Sequence, residues 1–394
     1  MSRLIALRHF VLLGTTAFLV SLASELNGDD KSPATLDAAS KIEKPDQPNV
    51  VKLTIFPMKP PAAALEHPLL PRYLDLNPGN AALLYSKAII LMADRNDPKD
   101  FWAKIDRWLE MPPGELPRGD VERAIVSHAS ALKIIEQAAH RDHCDWQPPV
   151  HEDPDVFGIL LPEMSHLRNA GRLLALKARL QIAEGRPTEA LITLQTGYAL
   201  AIHAGQCPFL VSNLVGVAIS GMMDEQMLTL VQSPRCPNVY WSLTALPSPL
   251  VDLRSGLALE SDSLLLAFPE LKGIERQEHT PDEWRDLLVR FGTRWKQMAL
   301  IVGGGKSPLD DLGMTAVMTA RAIGMIGQVK ADLVASGRDP KSVDAMPASQ
   351  LVLLHMLLIY RQLRDEEFKW FYVPYWQAHE GMVAVDKKIG HDLR

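Results

Sequence analysis

Among the side chains able to do chemistry, the densest grouping is His140-Arg-Asp-His-Cys144, followed by His151, Glu152 and Asp153 in a Pro-interrupted stretch. Imidazole, thiolate and carboxylate are the ligand types of a Zn²⁺ site, so His140, His143 and Cys144 are the metal candidates of this chain. Their spacing matches no zinc motif. A second reading puts His140 and His143 at a helix end, where imidazole meets free carbonyls and the dipole, with Cys144 and Trp146 packed beside them. Gly303-Gly-Gly-Lys-Ser307 resembles a phosphate loop in its glycines and lysine, but Leu300 stands where the first glycine belongs and a helix precedes it. A loop between helices, with Ser307 as N-cap, is the expectation.

Three cysteines, Cys144, Cys207 and Cys236, leave room for one bridge. If the segment from Cys207 to Cys236 is one straight helix, its ends stand about 40 Å apart and cannot be bridged. Packed free thiols are therefore expected. The aromatic cluster Phe368, Trp370, Phe371, Tyr372, Tyr375 and Trp376 suits core filling better than ligand stacking. Asp252, Arg254 and Glu260 read as a salt-linked helix surface, since the two carboxylates stand too far apart for paired acid-base work.

The chain has 394 residues, 47% of them hydrophobic, a globular composition with enough apolar surface for a large core. Net charge is −6 and cationic residues alternate with acidic ones, which leaves no basic footprint for nucleic acid. Residues 1–23 have the order of an export signal. Arg3 and Arg8 precede a short apolar run from Phe10 to Leu22, and Ser21-Leu22-Ala23 offers the small residues a signal peptidase inspects. A membrane association follows only if this segment stays uncleaved. Residues 24–50, rich in Asp, Lys, Ser and Pro, cannot repay the entropy of ordering and read as a flexible linker.

Beyond it, residues 51–394 read as a single α-helical domain, with a sub-boundary near 234–248. Val51-Lys-Leu-Thr-Ile-Phe56 alternates with the period of a strand but finds no partner, so a short extended segment on the helices is expected. From Asn80 onward the apolar spacing is helical. Val121, Ile125, His128, Leu132, Ile135 and Ala139 form one stripe, which predicts a helix from Asp120 to Ala139 with His128 inside the core. A helix over Pro162–Glu184 carries two apolar stripes and needs neighbours on both sides. Gly185-Arg-Pro187 then turns the chain into a helix whose Ala190, Leu194, Gly197 and Ala201 permit close approach. Thr280-Pro-Asp-Glu283 is a capping box, a further helix is expected to end before Gly337, and a last one runs from about Ala348 to Tyr372. The apolar stretch Phe209–Met223 reads as a buried helix and not a span, because Ser212, Asn213 and Ser220 interrupt it.

The hairpin from Pro162 to Ala204 resembles a tetratricopeptide unit in Ala178, Gly185, Ala190, Leu194 and Gly197, although Leu174 and Gln181 occupy its large aromatic positions. Together with the basic signal sequence, the stretches Leu74-Asp-Leu-Asn-Pro-Gly-Asn-Ala-Ala-Leu-Leu-Tyr85, His143-Cys-Asp-Trp146, Arg172-Leu-Leu-Ala-Leu-Lys-Ala-Arg-Leu180 and Tyr240-Trp-Ser-Leu-Thr-Ala-Leu-Pro247 resemble an uncharacterised family of exported, helical, tetratricopeptide-like proteins of planctomycete bacteria. That resemblance implies export and helical architecture, and it carries no activity, cofactor or site residue.

The expected fold is all-α: an irregular array of antiparallel helical hairpins, solenoid-like or bundled, with one short extended segment. The expected role is a non-enzymatic scaffold in the periplasm or cell envelope that binds a protein or peptide, without cofactor. A metal-dependent or other hydrolase built near Cys144 is the alternative.

Overall fold

The computed structural model describes residues 53, 54, 56, 66–148, 162–302 and 326–373. They are mostly helical, an irregular array of hairpins with one small two-stranded parallel sheet. The chain divides into two compact units. One comprises residues 45–149 and 160–260, here called the hairpin unit, and the other comprises 1–44, 150–159 and 261–394, the C-terminal unit. The segment 234–248 lies wholly inside the hairpin unit.

In the hairpin unit the described elements run in the order β1 (Asn77–Asn80), α1 (Ala81–Ala93), α2 (Phe101–Glu110), α3 (Arg118–Ser127), α4 (Ala129–Ala139), β2 (Arg141–His143), α5 (Pro162–Ala183), α6 (Pro187–Gly205), α7 (Leu210–Val231) and α8 (Tyr240–Thr244). Helix α5 ends as its glycine predicts. Gly185 adopts φ +72°, its amide donates to Ile182 O at 3.0 Å, and Arg186 N donates to Gln181 O at 2.8 Å. This double bond satisfies the last free carbonyls, and Pro187 opens α6 at once. Ala190, Leu194, Gly197 and Ala201 are all buried. The close approach serves α7: a side chain on Gly216 would meet Ala201 O at 2.6 Å and Gly205 N at 3.1 Å.

Helix α7 runs for 22 residues, well past Met223, and is long and apolar enough by length and composition to cross a membrane. In the hairpin unit it packs against both α5 and α6, with Ile219 beside Gly171 and Met223 beside Gly197. It is unbroken at Gly221, so Cys207 and Cys236 stay apart. All three cysteines are free and buried.

The helix expected over Asp120–Ala139 is two helices that meet at His128. His128 is buried as its place in the stripe requires, but its backbone leaves the helical region. Its ring binds the side chain of Asp97 and the carbonyl of Ala124 instead. The strand pair also lies elsewhere than in Val51–Phe56, where the described Leu53 and Phe56 are exposed. Instead β1, Asn-Pro-Gly-Asn, runs parallel to β2, Arg-Asp-His, with Asn77 opposite Arg141 and Asn80 opposite His143. Neither strand has apolar alternation. Polar side chains hold them: Gly79 N donates to Asp142 Oδ1 at 3.0 Å, and Arg141 donates to Pro78 O at 2.6 Å.

The boundary between the units falls between Glu260 and Ser261, inside α9 (Arg254–Ala267). In the C-terminal unit follow α10 (Pro281–Val302), α11 (Ile326–Ala335), α12 (Pro340–Ala345) and α13 (Ala348–Phe368), which a 3₁₀ turn extends to Tyr372. The capping box forms as predicted, with Thr280 N donating to Glu283 Oε2 at 2.7 Å and Glu283 N to Thr280 Oγ1 at 3.3 Å. Helix α11 ends in the same double bond as α5, around Gly337 at φ +99°. The core of this unit joins Phe268, Trp284, Phe291, Leu333, Leu351 and Leu354, with the rings of Phe268 and Phe291 4.5 Å apart.

Candidate functional site

The metal candidates separate in space. His140 caps α4, its Nδ1 2.8 Å from Glu136 O, which is the helix-end arrangement. His143, on β2, is exposed and pairs with Asp142 at 2.7 Å. Cys144 turns the other way, into the core, where burial pushes its thiol up to about 12. A thiol held protonated is a poor nucleophile and a poor metal ligand at neutral pH. No group of three or more His, Cys, Asp or Glu side chains able to hold a metal occurs among the described residues.

Around Cys144 lies a polar knot that the sequence did not announce. The Tyr85 hydroxyl and His203 Nδ1 are 2.9 Å apart, both fully inside the hairpin unit. Burial lowers the His203 pKa to about 4, with the nearby His143 charge adding to the effect, so the ring is neutral near pH 7. Burial also raises the Tyr85 pKa well above its ordinary value. Hence the phenol stays protonated, and it shares a hydrogen bond with Nδ1 of the neutral ring. Trp146 stacks on Tyr85 at 5.9 Å and donates its indole N–H to the backbone oxygen of His203 at 2.8 Å. Asn80 completes the fastening, accepting from Asp145 N and donating to Asp145 O while its oxygen also caps α1. The loop after β2 is thereby pinned across α1 and the end of α6. Burial thus keeps the Tyr85, His203 and Cys144 side chains uncharged near neutral pH.

A second cluster has the residue types of a hydrolytic triad. Ser127 Oγ lies 2.9 Å from His128 Nδ1, and His128 Nε2 lies 3.2 Å from Asp97 Oδ2. The wiring differs from catalysis, however. Ser127 donates to Ala124 O at 2.7 Å, the His128 side chain has no exposed surface, and Phe101 stacks over its ring at 5.1 Å. Nucleophilic attack needs a hydroxyl facing a substrate, with its proton directed at the base. This trio instead anchors the junction of α3 and α4 to the turn before α2.

Of the remaining candidates, Asp252 accepts from the guanidinium and the backbone N–H of Arg254, just ahead of α9. Tyr372 is exposed. Gly303–Ser307, His151–Asp153, Tyr375 and Trp376, the signal sequence and residues 24–50 lie outside the described residues, as do the side chains of Phe368, Trp370 and Phe371.

One surface feature stands apart from these interior networks. On α8, Ser242 is buried while Tyr240, Trp241 and Leu243 are 57%, 41% and 40% exposed, and the two aromatic rings meet edge to face at 5.1 Å. Val239 and Cys236, both buried, seat this helix on the hairpin unit. No protein-family model matches the chain, and no curated protein or solved structure matches it significantly.

Proposed function

We propose that this protein is an exported, non-enzymatic helical scaffold that binds a protein or peptide outside the cytoplasm. The observation that carries the reading is the exposed Tyr240, Trp241 and Leu243 on a short helix anchored from beneath. Large rigid aromatics held at a surface bury much area for little loss of entropy, which is how binding hot spots work. Two further features support it. The buried histidine and cysteine held against the α6 end are quenched by burial, and the Ser127–His128–Asp97 trio is closed off by packing. In this reading residues 1–23 direct export and residues 24–50 are a tether, in keeping with the resemblance to exported planctomycete proteins.

The test is affinity capture from cell envelopes with the full chain and with a Tyr240→Ser/Trp241→Ser variant, whose helicity is checked by circular dichroism. The expected result is a partner retained by the parent and lost by the variant. Equal capture by both proteins, or recovery of the chain only in the cytoplasm, overturns the reading.

A further inference from the structure

Helix α7 is buried on one side only. Its Gly216, Ile219, Met223 and Gln226 face α5 and α6, the described helices packed along it. The start of α9 meets its first turn, where Gly256 lies against Leu210 and Asn213. The other side carries Leu214, Val217, Ala218, Gly221 and Leu228 at spacings of three, four and seven, which sets them in one stripe. Val217 and Leu228 are 43% and 41% exposed, and a methyl group on Gly221 would meet nothing within 4 Å. From Leu214 to Leu228 the stripe is about 21 Å long, or about four turns.

Two observations say what such a stripe receives. Inside the unit, glycine marks helix contacts, with Gly171 taking Ile219 and Gly197 taking Met223. Gly221 turns the same notch outward, and a glycine inside a helix costs stability when nothing uses the space it leaves. The second observation is charge. Asp224 and Glu225 are the only charged residues of α7, both exposed, and the helical period puts one on each side of the stripe between Gly221 and Leu228. The Tyr198 hydroxyl fixes Asp224 by donating to its Oδ1 at 2.7 Å.

These carboxylates decide between occupants. A bilayer would have to take both into its apolar layer, at high cost. A second copy crossing antiparallel at Gly221 would press Glu225 against Val217, and a parallel crossing would set acid on acid, since α7 has no Lys or Arg to answer them. A helix of another protein, apolar at i, i+3 or i+4 and i+7 with Lys or Arg beside that stripe, matches both shape and charge. We propose that the outer face of α7 docks such a basic amphipathic helix, seated over Gly221 and paired with Asp224 and Glu225. The site uses no side chain of α8, so it and the aromatic face can fail separately.

The full chain is titrated with two labelled synthetic peptides of about 18 residues, both with leucines in that stripe, one with lysines and the other with glutamates beside it. Fluorescence anisotropy reads peptide binding, and sedimentation reads self-association and binding to phosphatidylcholine vesicles. Saturable binding of the lysine peptide, severalfold tighter than that of the glutamate peptide, supports the site. Glu225→Lys inverts the preference, a change that a merely structural carboxylate would not produce. Gly221→Leu, at an exposed position with room for the side chain, abolishes binding of the lysine peptide, while Tyr240→Ser/Trp241→Ser leaves it intact. Equal binding of both peptides, a lysine-peptide affinity untouched by Gly221→Leu, or no binding in the parent overturns the proposal. So does dimerisation that Gly221→Leu abolishes, which assigns the face to a second copy, or vesicle binding that Gly221→Leu abolishes, which assigns it to a membrane.

Discussion

The two units bury very different interiors. In the C-terminal unit the buried core is built from Phe268, Trp284, Phe291 and leucines, and His355 and Ser263 are the buried polar residues among those described. Of these, His355 meets Asp332 through Nε2 at 2.9 Å near the surface. In the hairpin unit, by contrast, polar side chains sit at the centre of helix contacts. Asn213 of α7 donates to Gly205 O at 2.6 Å and Cys207 O at 3.1 Å while accepting from Gly256 N at 3.1 Å. Thr193 donates to Gln181 across the α5–α6 pair at 2.8 Å, and Tyr85 reaches His203 between α1 and α6. An apolar core tolerates many arrangements of similar volume, whereas a satisfied polar network demands one. The hairpin unit therefore has its helix register set by hydrogen bonds, and the C-terminal unit has its register set by shape.

The comparison can be broken most forcefully at Trp284. Its truncation to alanine leaves a cavity in a core with little polar scaffolding, and a loss of about 3–5 kcal/mol is expected by denaturant unfolding. Hydrogen exchange should place that loss at amides of residues 261–373. Acid gives the next largest effect, in the other unit. The folded His203 pKa of about 4 lies below its ordinary 6.5, so the unfolded chain takes up a proton first as pH falls. Stability from this group is complete above pH 6.5 and declines as pH drops toward 4, by roughly 3 kcal/mol in all. A His203→Gln variant starts less stable and should lack that decline in a pH series of melting curves.

Asn213→Ala strands two carbonyls and one amide, with an expected cost of about 1–3 kcal/mol, while m-values stay unchanged. If leucine at this position restores full stability, the claim of a polar-specified register fails. A glycine pair gives opposite signs, and its second member gives the smallest effect. Gly216→Ala forces a methyl against the Ala201 carbonyl and should cost about 1–3 kcal/mol. Gly292→Ala in α10 meets nothing within 4 Å and should stabilise by about 0.5–1 kcal/mol. Two-state melts of both variants decide the matter, and equal signs would erase the contrast.

What could be read in advance follows the same division. The capping box at Thr280 and the helix stop at Gly337 are local signals, and the structure realises both of them. The α5–α6 turn was equally legible, since Gly185 and Pro187 act within a few residues of themselves. The stripe through His128 predicted its burial but not the break in the helix. At the break the His128 ring meets Asp97, 31 residues away, a contact that periodicity does not register. The strand pair was invisible because Asn, Pro, Gly, Arg and Asp lack β-patterning, and its backbone ladder is braced by side-chain bonds spanning 63 residues. At the candidate site, His140 announced itself as a helix end. That Cys144 turns inward and His143 outward depended on the strand direction, and Tyr85 and His203, 118 residues apart, carried no local mark.

Sequence alone thus determined the helical class, several helix ends and a number of apolar faces, because capping, turn chemistry and amphipathic period act over one or two turns of chain. Tertiary structure decided which polar side chains are satisfied, which thiols and imidazoles are quenched by burial, and which helix face is left without a neighbour. Those outcomes depend on desolvation and on partners distant in the chain, and neither quantity exists until the helices have packed.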